Sequence, residues 1–262
     1  MVRPREIPPE AHGEMSAYRC NRFAEYCQIM YAAAPDHGPR FMLLPPPIHY
    51  TLRLCAVATT AVAFPARSET HEVQGWLTEA FTFKADKSTT VTIDLNQRAR
   101  RQGSDDEQFL QRVTVEHGIA PGLRIGSGML YAFSDTEREL RPHQQITYTK
   151  GIFETRTRLE QRFFEGAPRT GWRLRQRMQL LVPIDTGKRW NVVAAGEVMF
   201  HLNRARDNDT KGFAVLRNEI GLRHKVSKHL DVQLSYMRQQ SIRENRADQI
   251  VHLPWLRFNF FL

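Results

Sequence analysis

The chain has 262 residues, 41% of them apolar, and carries 37 basic against 28 acidic residues, a net charge of +9. Length and apolar content support a sizeable core. No run of about 18 apolar, uncharged residues occurs, which excludes a helical membrane span. Cysteine is limited to Cys20, Cys27 and Cys55, with no C-x-x-C spacing, which argues against a zinc site or a disulfide framework. The basic balance alone suits a soluble protein that binds polyanions.

Residues 1–50 are punctuated by Pro8-Pro9, Pro35, Pro39 and Pro45-Pro46-Pro47 and hold no lasting apolar period. The run from Leu52 to Ala63 has a basic residue near its start, about ten apolar or small residues and the small-x-small end Ala61-Val62-Ala63. That is the arrangement of a secretory signal cleaved after Ala63. Residues 1–41 are then expected to be a non-native, disordered extension, with the true start at Met42 or Met30. Residues 42–63 are the signal peptide and residues 64–262 the exported domain. All three cysteines precede residue 64, so the exported part has no thiol to mispair in an oxidising compartment.

From residue 72 onward the period is two, the period of strands. Eleven strands are predicted: 72–84, 88–98, 107–117, 122–133, 143–150, 152–164, 171–183, 189–202, 213–224, 229–240 and 248–262. Short turn signals alternate with longer polar segments at 99–106, 134–142, 165–170, 203–212 and 241–247. Six runs have a clear register, exemplified by Leu123, Ile125, Ser127, Met129, Tyr131, Phe133 and by Trp190, Val192, Ala194, Gly196, Val198, Phe200, Leu202. Across the six, one parity holds 34 positions and no Asp, Glu, Lys or Arg. The opposite parity holds 30 positions, 14 of them charged.

A soluble sandwich turns such an apolar parity inward, whereas a transmembrane barrel turns it to lipid and encloses the charges. The length of the runs matches the 9–11 residues or more that a tilted strand needs to cross a bilayer. Aromatics (Phe109, Tyr131, Phe133, Phe153, Phe163, Trp172, Trp190, Phe200) sit at run ends, where the membrane interfaces fall. Short and long connections alternate, as periplasmic turns and outer loops do. The reading is an all-β protein, a transmembrane antiparallel β-barrel of about 10–12 strands. An even number is usual for such barrels, so eleven points to one strand missed, in 64–71 or around Lys150-Gly151.

The last residues, Leu256, Phe258, Phe260 and Leu262, alternate with Arg257 and Asn259. Such an ending resembles the signal by which outer-membrane barrels are recognised by the barrel assembly machinery. The run Arg156-Thr157-Arg158-Leu159-Glu160-Gln161-Arg162-Phe163 followed by Gly171-Trp172-Arg173-Leu174-Arg175-Gln176-Arg177 resembles the core of a bacterial outer-membrane family, domain of unknown function 2490. Glu139-Leu140-Arg141-Pro142 leading into Gln144-Gln145, and Glu197-Val198-Met199-Phe200, extend the likeness over roughly residues 72–262. The resemblance implies a location in the outer membrane of a Gram-negative bacterium, with outer-membrane lipid around the barrel. It implies no reaction.

The candidate site is the enclosed charge ladder. Glu154, Arg156, Arg158, Glu160 and Arg162 face Arg173, Arg175 and Arg177 across one hairpin, with Asp94, Arg112, Glu116 and Glu197 on other strands. On that hairpin cross-strand pairing is expected to bring Arg near Glu, leaving four positive charges for other strands such as the one bearing Glu219 to offset. A wet lumen with this wall favours anions and is a narrow passive pore; a lumen filled by interlocked Arg and Glu is a structural barrel. A lipid-modifying enzyme with a rim Ser/His site is an alternative, its candidates being Ser127, His143, His201, His224 and His252. No Ser/His/acid spacing supports it, so no catalytic residue, metal or cofactor is assigned. The arginines share a parity with glutamates and the aromatics lie on the other face, which speaks against nucleic acid.

Overall fold

A computed structural model describes residues 69–100, 107–244 and 246–262. The expected extension and signal peptide, residues 1–41 and 42–63, lie outside the described residues. Eleven strands follow one another: β1 (Glu69–Lys84), β2 (Thr89–Arg100), β3 (Gln108–Ala120), β4 (Leu123–Phe133), β5 (Arg138–Lys150), β6 (Phe153–Phe164), β7 (Gly171–Pro183), β8 (Trp190–His201), β9 (Gly212–Lys225), β10 (Leu230–Ser241) and β11 (Asp248–Phe261). Each pairs antiparallel with the next, and β1 closes on β11, giving a closed barrel of eleven strands. The described residues thus form an all-β, closed barrel whose strands are antiparallel except at the β1–β11 seam.

No twelfth strand restores an even number among the described residues. With an odd count of alternating strands the first and last run the same way, and β1 pairs β11 in parallel from Glu69 opposite Asp248 to Thr82 opposite Phe261. Aromatics brace this seam: Phe81 stacks on Phe260 at 4.9 Å and Trp76 meets Trp255 edge-on at 5.1 Å. The backbone N–H of Leu262 donates to Thr82 O at 2.9 Å, tying the C-terminus to β1.

The parity assigned from sequence sets the faces. Ile93, Val113, Ile125, Met129, Ile146, Met178, Ile220 and Leu234 are exposed on the outer wall, while their neighbours in sequence point into the lumen. Glycines let the wall pack. A Cβ on the inward Gly128 would stand 2.2 Å from Val113 O and 2.7 Å from the His143 ring, so only glycine leaves room for that imidazole.

One strand starts earlier than its sequence reads. Residues 138–142 are read as loop, yet β5 begins at Arg138 and the connection from β4 is only 134–137. Pro142 is the reason. It points outward opposite Met129 of β4, and the pairing of β5 with β6 is interrupted at Arg141 and Pro142, where a ladder N–H is missing.

Candidate functional site

The structure places Asp94, Arg112, Glu116, Glu154, Arg156, Arg158, Glu160, Arg162, Arg173, Arg175, Arg177 and Glu197 on the inward parity of β2, β3, β6, β7 and β8. Between the rims, thirteen inward arginines can be named: those twelve positions supply seven, and Arg98, Arg124, Arg141, Arg217, Arg223 and Arg257 supply the rest. Nine inward carboxylates face them: Glu72, Asp94, Glu116, Glu139, Glu154, Glu160, Glu197, Glu219 and Asp231. Sequence reading missed the arginines of β9 and β11 because apolar residues occupy both faces there and blur the period.

The hairpin register corrects one expectation. Arg156 stands opposite Arg177 and Arg158 opposite Arg175, so like charges face each other, and only Glu160 opposite Arg173 is a matched pair. The compensating carboxylates come largely from the neighbouring strands. Arg175 donates Nη2 to Glu197 Oε1 at 2.7 Å and Oε2 at 2.8 Å, and Nη1 to Glu160 Oε1 at 2.8 Å. Arg173 donates Nε to Glu160 Oε2 at 2.7 Å. Glu197 also accepts from Arg217 at 3.2 Å, and Glu219 takes Arg177 at 3.1 Å and Arg257 at 3.0 Å. Glu139 on β5 joins Arg141 and Arg162. Like-charged neighbours are tolerated because each carboxylate is shared by two or more guanidinium groups.

Packing in the lumen is uneven along the axis. Toward the long loops the ladder is closed, with the side chains of Glu160 and Glu197 only 3% and 2% exposed. There Trp76, Met237, Val251 and Leu253 form a buried apolar cluster inside the barrel, with Trp255 against it. Arg98 lies over the Trp76 ring at 3.8 Å, Arg217 at 5.3 Å, and Arg257 over Trp255 at 3.3 Å. A second buried cluster joins Leu110, Leu130 and Ala132. Toward the short turns the lining opens. The side chains of Arg124 and Glu154 are each 35% exposed, and their ion pair is long, at 3.5 Å. Midway along β2 and β3 the side chains of Asp94 and Arg112 are also partly exposed, 3.7 Å apart.

The candidate Ser/His set does not assemble. His143 is buried in the lumen, 3.4 Å from Thr114 Oγ1, and is not at a rim. His201 faces Thr210 O at 3.0 Å, His224 lies on Trp190 with ring centres 4.1 Å apart, and His252 meets Tyr236 Oη at 2.6 Å. Ser127 points outward from β4, and no hydrogen bond joins it to these histidines among the described residues. No group of three His, Cys, Asp or Glu that could hold a metal occurs among the described residues.

An uncharacterized protein of Methylorubrum extorquens is 25% identical over 222 residues, covering 80% of this chain and 94% of that protein. Among solved structures the chain is similar to the NanC porin, with a TM-score of 0.46 at 11% identity over 68% of this chain and 94% of that one. It is similar also to the KdgM porin in complex with disordered oligogalacturonate, with a TM-score of 0.42 at 10% identity over 61% of this chain and 81% of that one. The family described as "Protein of unknown function (DUF2490)" matches residues 73–250, and the chain belongs to that family.

Proposed function

We propose that this chain is an outer-membrane barrel of a Gram-negative bacterium that acts as a narrow, passive, anion-preferring pore. The observation that carries the reading is the inward excess of arginines over carboxylates between the rims. Fixed positive charge on a confined wall lowers the energy of an anion relative to a cation. The short-turn half is already open to water around Arg124 and Glu154, so the barrier lies in the long-loop half. Passage requires the Arg175–Glu197–Glu160 cluster to part or to admit an anion that replaces a carboxylate. The C-terminal strand, with outward Leu256, Phe258 and Phe260, is the segment offered to the assembly machinery.

A sealed structural barrel is the second reading. It rests on the nearly complete burial of Glu160, Glu197 and the Trp76 cluster. Planar-bilayer recordings separate the two. A pore gives stepwise conductance with a reversal potential of anion sign under a salt gradient, and Arg173→Ser/Arg175→Ser/Arg177→Ser lowers its anion preference. A wild-type barrel that inserts and never conducts overturns the pore.

A further inference from the structure

On the outward parity of the eleven strands, between the rims, the charged side chains among the described residues are Glu79 of β1 and Arg238 of β10. Both flank β11. A lipid-facing guanidinium is costly unless it reaches the interface or captures an anion. Arg238 donates Nη1 to Gln240 Oε1 at 3.3 Å, and no carboxylate lies within ion-pair distance of it among the described residues. It stands three residues from the long-loop end of β10, about 10 Å along the strand and nearer still to the interface once the strand tilts.

Beside it is a hydrogen-bonded chain of polar rings. Arg238 pairs directly with His252 of β11. Tyr236 Oη lies 2.6 Å from His252 Nδ1, and His252 Nε2 lies 3.3 Å from Nδ1 of the exposed His71, with the two imidazoles stacked. Tyr236 is itself 47% exposed on the outer wall. The Arg238 guanidinium thus stands in register beside a hydrogen-bonded Tyr236–His252–His71 relay, toward the long-loop end of the barrel.

We propose that this patch binds the phosphate of an outer-leaflet lipid headgroup, with Arg238 as the anchoring charge and the Tyr236–His252–His71 relay as its polar flank. The inference rests on the outer-membrane orientation with the long loops outside, and does not depend on conduction. A phosphate monoester presents several oxygens to a planar guanidinium, the match that gives bidentate, charge-assisted hydrogen bonds.

The test uses the full chain in phosphatidylcholine bilayers doped with phosphatidic acid, counting by native mass spectrometry the lipids that stay with the barrel through detergent exchange. Wild type is expected to retain phosphatidic acid over phosphatidylcholine. Arg238→Gln should weaken retention about fivefold, the effect of one interfacial arginine. Arg238→Lys should keep part of it, and Arg138→Gln, at the same end of the barrel on β5, should leave it unchanged. Heat-modifiable gel mobility of every variant reports barrel closure, so a folding failure is told from a lost site, and a barrel that does not form at all fails the membrane reading instead. Equal retention by a closed Arg238→Gln barrel, no preference over phosphatidylcholine, or displacement by inorganic phosphate alone would each overturn the proposal.

Discussion

Arg175 of β7 is gripped by Glu197 of β8 through both carboxylate oxygens while its other amino group reaches Glu160 of β6. One guanidinium therefore ties three consecutive strands together on the lumen face of the wall. A buried charge so held is costly to remove, because its partners lose a counter-ion they cannot replace with water. Arg175→Met is expected to destabilise the barrel by about 3 kcal/mol, read from denaturant unfolding in lipid vesicles. Adding Glu197→Gln should cost less than it does on its own, since with Arg175 gone that carboxylate holds only Arg217 and Arg156. Additive costs in the double variant would show that the two groups do not act as a unit.

Glycine positions give a contrast that depends only on geometry. Gly128 points inward against Val113 O and the His143 ring, whereas a Cβ at the outward Gly196 meets nothing within 4 Å. Gly128→Ala is expected to cost about 1–3 kcal/mol through overpacking. Gly196→Ala should leave the unfolding midpoint unchanged. Equal midpoints for the two would refute the inward placement of Gly128.

Glu79 points outward from the middle of β1, and no hydrogen-bond or ion-pair partner of it occurs among the described residues. Glu79→Leu should raise the unfolding midpoint in bilayers, by on the order of 1 kcal/mol. A loss of stability would mean that the carboxylate meets a partner in the membrane.

The turn between β7 and β8 should be acid-sensitive. Asp185 accepts from the N–H groups of Trp190 at 2.7 Å and Arg189 at 3.1 Å. The Trp190 hydrogen bond foremost, with that of Arg189, holds its carboxyl below the ordinary value. A carboxyl with a depressed folded pKa contributes stability above its unfolded pKa, and that contribution fades as pH falls through the folded value. Exchange of the Trp190 amide should accelerate as acid protonates Asp185. In Asp185→Asn the acceleration should vanish; if it persists, another group controls the turn.

Where one parity is uniformly uncharged, as at Leu123 to Phe133 or Trp190 to Leu202, the sequence alone locates the strand and its face, because a one-residue slip would expose arginines to lipid. The start of β5 is hidden by Pro142 and by Glu139 and Arg141, which read as loop residues. In the barrel they are inward partners of each other and of Arg162. The Trp76 cluster is hidden for the opposite reason. Met237 and Leu253 are apolar on the lumen face while Tyr236 and Leu256 occupy the outer one, so alternation vanishes. Which Arg meets which Glu is illegible before the register is known, since a shift of two residues along β7 moves the partner of Glu160 from Arg173 to Arg175 or hands the one match to Glu154 and Arg177.

The central claim is that the uncharged parity faces lipid and the charged parity faces an enclosed lumen. Its most direct test is nitroxide accessibility at single-cysteine positions, in a chain with Cys20, Cys27 and Cys55 replaced and reconstituted into bilayers. Labels at Val113, Leu159, Met178 and Ile220 are expected to collide readily with oxygen dissolved in lipid, and labels at Thr114, Glu160 and Glu197 are not. Equal oxygen accessibility at the two sets, or a reversed pattern, would contradict the account.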